Sequence, residues 1–171
     1  MKTNAISIAN YFVDKAIKDK NSPCHLTLLR LVKYVYISYG LAMALLDKII
    51  LDERFDKVEA WKYGPVIPSV YHSFKHNQNN PITEKASILA YEDQKGNMSF
   101  ETPTVKDESI TEILDFVWSE YRECSITQLI DELHTAYSPW GMYYEAGKNV
   151  EIPHQITKKY YEIRLREATY N

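Results

Sequence analysis

A chain of 171 residues with a formal net charge of −3 and a pI near 6.0 is one domain in length and large enough to bury a proper core. Hydrophobic residues at 45% and charged residues at 25% exclude wholesale disorder, and the slight acidic excess argues against a dedicated nucleic-acid binder, which carries a basic face and a high pI. The 14 tyrosines stand out; each joins a large apolar body to a polar tip, which suits half-buried helix faces and binding surfaces alike.

The two cysteines, Cys24 and Cys124, lie far apart with no partner spacing, so neither a disulfide framework nor a zinc pattern is present, as expected in a reducing cytosol. Met1-Lys2-Thr3-Asn4 leads into an amphipathic segment instead of an apolar signal core, and the expected location is cytoplasmic. The longest uncharged stretch, Tyr34 to Leu46, is shorter than the roughly 20 residues that span a bilayer, and it reads as a buried core helix with no membrane role.

In chain order, residues 4–19 predict a first helix with Ala5, Ala9, Phe12, Val13, Ala16 and Ile17 on one face. Asn21-Ser22-Pro23 breaks it. A second helix from about Leu26 to Leu46 is apolar nearly all round, which places it in the middle of a bundle, and Gly40 inside it marks a kink or a close helix crossing. Residues 47–58 are ambiguous, with Ile49-Ile50-Leu51 anchoring a loop or a short strand. The stretch Glu59 to Phe74 reads as an extended segment through Trp61, a hard turn at Gly64-Pro65, and a third helix to about Lys75 that can begin as early as Pro65. His76 to Pro81 is a polar loop. Ile88–Tyr91 and Met98–Phe100 predict a small hairpin around Gly96-Asn97, which a strand near Val58–Trp61 can join as a flap.

The C-terminal half is helical with clear punctuation. Asp107 or Ser109 caps a fourth helix, and Ser125-Ile126-Thr127-Gln128 is a capping-box pattern that opens a fifth. Ser138-Pro139 starts a sixth helix, with Gly147 as its stop. Ile152-Pro153 precedes a last helix with Ile156, Tyr160, Ile163 and Leu165 among its apolar positions. The expected fold is mainly α: a compact single-domain helical bundle over residues 1–171 with a small β-hairpin or flap.

The segment Ala60-Trp61-Lys62-Tyr63-Gly64-Pro65-Val66-Ile67-Pro68-Ser69-Val70-Tyr71 resembles the signature of the Panacea domain, the family of SocA-like antitoxins and GepA-type phage-associated proteins. Arg30-Leu31-Val32-Lys33-Tyr34-Val35-Tyr36 is similar to that family's basic-Leu-x-Lys-Leu-x-Tyr helix, with Tyr34 where the family usually has a smaller aliphatic residue. Leu133-His134 followed by Ser138-Pro139-Trp140 resembles its Leu-(Thr/Ser)-His…Pro-Trp segment, here without the intervening hydroxyl residue. Ile152-Pro153 leading into Ile156 resembles its final helix start. The matches run in order from about residue 8 to 163.

Taken alone, the residues supply no convincing reaction centre. His25, His72, His76, His134 and His154 are scattered without metal-ligand spacing, and the five glycines form no phosphate loop, so no metal or cofactor is expected. Asp131 and His134, three apart, form with Glu132 the one local acid/base cluster; contact between them would raise the histidine pKa. The plainer reading has His134 ending its helix, favoured by the C-terminal dipole, and packing near Trp140. Lys33, sharing a helix face with Tyr36, is expected to snorkel, with its stem in the core and its ammonium at the surface. Lys57, Lys62, Lys75 and Lys85 are interspersed with acids, and Glu132, Glu145 and Glu151 deny the late helices a basic recognition face, so no nucleic-acid partner is expected.

Bottom-up, the sequence reads as a helical interaction module whose Trp and Tyr corners suit protein recognition. The resemblance implies more: an antitoxin, not an enzyme, that neutralises a cognate toxin protein by direct binding, often encoded beside it. Some relatives instead act as adaptors that deliver the toxin to a cytosolic protease. An enzyme that reverses a toxin's modification through Asp131 and His134 is a further alternative. The candidate partner-binding residues are Lys33, Tyr36, Trp61, Lys62, Tyr63, Pro65, Pro68, Tyr71, His134 and Trp140. Whether they touch the partner or form the fold's framework is a question for the structure.

Overall fold

The computed structural model describes residues 3–19, 25–92 and 97–170. The Asn21-Ser22-Pro23 breaker, Cys24 and Gly96 of the expected hairpin turn lie outside the described residues. Helix α1 (Ala5–Lys18) opens on a reciprocal cap, in which the Ser7 N–H donates to Asn4 Oδ1 at 2.8 Å and the Asn4 N–H donates to Ser7 Oγ at 3.0 Å. Its inner face, including Ile8, Ala9, Phe12 and Val13, packs on helix α2 (Leu28–Leu46).

Helix α2 is the hub. Every residue from Arg30 to Met43 is buried, because α1, the later helices and a strand cover it on all sides. The whole helix, at 19 residues, is long and apolar enough to cross a membrane by length and composition, whereas its uncharged stretch, Tyr34 to Leu46, is shorter than a span. Arg30 and Lys33 fall inside it, and packing makes it a core helix. Tyr34 fills the space that a smaller residue would leave: it is fully buried, its ring packs on Phe12 and Trp118, and its hydroxyl donates to the Tyr121 carbonyl at 2.8 Å. Of the two readings of Gly40, the close crossing holds. A Cβ there would lie 2.1 Å from the Tyr161 ring of helix α7 (His154–Tyr170), so only glycine lets α7 approach.

Residues 47–58 form a loop with no strand. Ile50 and Leu51 plug into the core, and Asp56, 4% exposed, ties three segments together. Its carboxylate accepts from the Ala5 N–H (3.0 Å), the Asp52 N–H (2.9 Å) and Ser69 Oγ (2.6 Å). A buried carboxylate so satisfied is costly to lose, since each donor left behind keeps its desolvation penalty. Asp56→Ala is expected to destabilise the protein by about 3 kcal/mol, read as a lower urea midpoint with an unchanged slope.

Strands β1 (Glu59–Trp61) and β2 (Gly64–Val66) pair antiparallel with Trp61 opposite Gly64, so the reversal lies at Lys62-Tyr63, ahead of the expected Gly64-Pro65. Neither turn residue has a positive φ, and Gly64 at φ +99° completes the reversal, the pattern of a type I turn closed by a left-handed glycine. Pro65 therefore sits in β2, at the sheet edge where its missing N–H is tolerated. Helix α3 (Pro68–Phe74) starts at Pro68, not Pro65, and a 3₁₀ turn over Lys75–Asn77 extends it.

The expected link between the β1 strand and the later hairpin is also corrected. Strand β3 (Ile88–Glu92) and strand β4 (Met98–Glu101) form a separate pair, while β1 pairs with β2 and with strand β5 (Val150–Glu151). Buried Asn10 holds the legs of the β3–β4 flap, donating to the Ala86 and Pro103 carbonyls and accepting from the Ala86 N–H at 2.8 Å.

Helix α4 (Glu108–Tyr121) is capped by Asp107, which accepts from the Ser109 N–H at 3.0 Å. Helix α5 (Ile126–Leu133) has its Ser125/Gln128 capping box, and helix α6 (Pro139–Tyr143) starts under a Ser138 cap but ends four residues before Gly147. On α7 the buried residues are Thr157 and Tyr161, one turn apart; Ile163 faces outward at 44% exposure, against the sequence expectation. The result is mainly α, a helical bundle with small antiparallel sheets.

Candidate functional site

The signature hairpin separates two environments. Behind it, Lys33 has no exposed surface, and its Nζ donates to the Pro65 carbonyl at 3.0 Å. The snorkelling expectation fails because β2 lies over this part of α2 and closes the route to water. Burial pushes the Lys33 ammonium down to about 7. Beside it, His134 caps the C-terminus of α5 and stacks on Trp140, with ring centroids 3.8 Å apart and planes 6° from parallel. Trp140 Nε1 donates to the Trp61 carbonyl at 2.7 Å, and its ring also stacks on Tyr144.

Gly64 is where these groups meet. A Cβ built there would lie 2.7 Å from Lys33 Nζ and 2.9 Å from His134 Nε2. The imidazole Nε2 is buried and makes no hydrogen bond of good geometry, although the Tyr63 carbonyl favours its protonated form slightly. Burial first, and the Lys33 ammonium second, push the His134 pKa down. The expected upward shift from Asp131 is thus overturned, since that exposed carboxylate contributes least of the causes. The helix-ending role and the packing on Trp140 stand.

In front of the hairpin, an open groove of about 600 Å³ runs between the start of α2, the β1–β2 turn and the end of α3. Leu29, Val32, Val66, Trp61 and Tyr71 form much of its wall. The Trp61 and Tyr71 rings meet edge to face at 4.9 Å, and Trp61 Nε1 donates to Glu59 Oε2 at 2.7 Å, which fixes the indole. Tyr63 is 57% exposed at the turn, with Lys62 Nζ 5.2 Å from its ring centre.

The sequence candidates divide between these places. Trp61, Lys62, Tyr63 and Tyr71 line the groove. Lys33 and Pro65 are buried behind it, with His134 and Trp140 half-buried beside them, and Pro68 is half-buried at the head of α3. Tyr36 stands apart, 1% exposed and packed on Tyr161 of α7. Lys33, Tyr36 and Pro65 therefore have no surface to offer a partner and act as framework. Sequence reasoning missed Leu28, Leu29, Val32, Lys75, Gln78 and Asn79 as groove residues. Val32 lies inside the quoted α2 motif, and the others stand within a few residues of that motif or of the Glu59–Phe74 stretch. Among the described residues no cluster of His, Cys, Asp or Glu could hold a metal ion.

Residues 31–141, from Lys33 and the hairpin through His134 and Trp140, match the family model described as Antitoxin SocA-like, Panacea domain. The chain belongs to this family. Over 164 residues it is 26% identical to Antitoxin SocA of Caulobacter vibrioides (strain NA1000 / CB15N), an alignment covering 95% of this chain and 82% of that protein. No solved structure matches the chain. The matched Panacea segment takes in both faces of the hairpin but stops short of α7, which supplies Tyr161 to the core.

Proposed function

We propose that this Panacea protein is a cytoplasmic, non-enzymatic antitoxin that neutralises a toxin protein by binding it directly. The observation that carries the reading is the family membership, together with a relative that is itself an antitoxin. The geometry supports it in a second way. The signature's buried side carries Lys33 under the hairpin with half-buried His134 beside it, and its open side is a largely apolar groove with an exposed tyrosine. Aromatic side chains fixed by their neighbours, as Trp61 is by Glu59 and Tyr71, are effective anchors at protein interfaces.

The test is expression of the neighbouring open reading frame in a bacterial host, alone and with this protein. Growth arrest by the neighbour, rescue on co-expression and co-purification of the pair are the expected results. Rescue accompanied by disappearance of the neighbour, reversed when a host protease is deleted, would replace blocking by delivery for degradation. Rescue without any complex, abolished by His134→Ala in a folded variant, would indicate an enzyme instead.

A further inference from the structure

The groove has a charge pattern as well as a shape. Two lysines, Lys62 and Lys75, are among its lining residues and no aspartate or glutamate is, although the chain as a whole carries 23 acidic residues against 20 lysines and arginines. Both lysines are exposed, and neither forms an ion pair among the described residues. Lys48, Lys57 and Lys158 each meet a carboxylate within 3.0 Å, whereas Lys106 and Lys159 are, like the two groove lysines, exposed without an ion pair among the described residues. Glu59, two residues from Trp61 on the same strand, is engaged by the Trp61 indole. Gln78 and Asn79 add exposed amides to the same rim. An apolar floor with unpaired cations at its edge complements an apolar side chain flanked by carboxylates.

We infer that the groove between α2, the β1–β2 turn and α3 receives a segment of the partner protein in which a large apolar residue, aromatic or leucine, is flanked by Asp or Glu that pair with Lys62 and Lys75. The inference rests on the reading of the chain as a protein-binding antitoxin for the biological identity of that partner. Insertion of the anchor covers Leu29, Val32 and Trp61, and the flanking carboxylates set its orientation. The lysine pairs lie at the rim, so they steer association and choose between partners more than they hold the complex.

The probe is a random dodecapeptide library displayed on phage and panned against the folded wild-type protein. Enriched peptides are expected to carry Trp, Phe or Leu with Asp or Glu within a few positions. A labelled peptide from that set should bind Leu29→Arg at least about tenfold more weakly, because the longer, charged side chain replaces the apolar wall and blocks entry of the apolar anchor. Against Lys62→Glu/Lys75→Glu the selection should turn to basic flanks. Failure to enrich, enrichment without acidic flanks, or equal binding to Leu29→Arg would each overturn the inference. So would a wild-type dimer, seen by sedimentation, that Leu29→Arg dissolves, since the occupant would then be a second copy. The selection contains no toxin. A failed rescue with a successful selection therefore removes the antitoxin reading and keeps the groove, and the converse removes the groove and keeps the antitoxin.

Discussion

Gly64→Ala is expected to lower stability by about 4 kcal/mol. Two costs combine. The backbone at φ +99° is a conformation that alanine adopts only with strain. The added Cβ also falls 2.7 Å from Lys33 Nζ and 2.9 Å from His134 Nε2. The amine is fully buried and its hydrogen bond to Pro65 holds it in place, while the imidazole is clamped by its stack on Trp140, so neither can step aside cheaply. Gly147→Ala separates the two costs. That residue also has a positive φ, +79°, but a Cβ there meets nothing within 4 Å. It should cost about 1 kcal/mol, from strain alone. Urea denaturation of the two variants beside wild type gives both numbers, and equal losses would show that the Lys33–His134 contact is not the constraint.

Between pH 7 and pH 9.5 wild-type stability should rise by about 3 kcal/mol through Lys33 alone. In the folded protein the ammonium pKa is lowered to about 7 by burial, whereas in the unfolded chain it returns to about 10.4. Between those values the unfolded state holds the extra proton, so stability increases with pH and is fully restored only above the unfolded pKa. His134, whose pKa is also lowered, extends the loss below neutrality in the same direction. The buried hydroxyls of Tyr36 and Tyr39, with pKa values raised by burial, act oppositely, but only near and above pH 10. Lys33→Met should remove the slope across the window. Denaturant melts of both proteins at the two pH values decide it; a slope that survives in Lys33→Met would assign it to another group.

Much of this architecture was legible in the chain. Periodicity placed the helices, and the Ser125/Gln128 and Ser138-Pro139 signals fixed two starts, because caps are local chemistry written in adjacent residues. Gly40 could be read as a crossing point but not assigned its partner, since Tyr161 lies more than a hundred residues away. The misplaced turn has a specific cause: Gly-Pro looks like a reversal, yet the hydrogen-bonded pairing of Trp61 with Gly64 moves it to the two residues before. Lys33 was misread for want of its lid. A lone lysine on an apolar helix snorkels unless another segment covers it, and nothing near residue 33 announces that β2 does so. The same limit hid Asp56, whose donors come from α1, its own loop and α3.

The candidate site was half legible. The signature named Trp61, Lys62, Tyr63 and Tyr71, which line one groove, and also Lys33, Pro65, His134 and Trp140, which hold its back wall. Motif matching does not distinguish a contact from a support, because both are constrained by the same geometry. Leu29, Val32 and Lys75 join the groove only through tertiary packing of α2 against α3.

The most direct test is isothermal titration of the purified product of the neighbouring reading frame into this protein and into Leu29→Arg. A saturable, stoichiometric complex with wild type, weakened at least about tenfold in the variant, is the predicted result. Absence of a complex at micromolar concentrations with wild type, although co-expression rescues growth, would contradict neutralisation by direct binding.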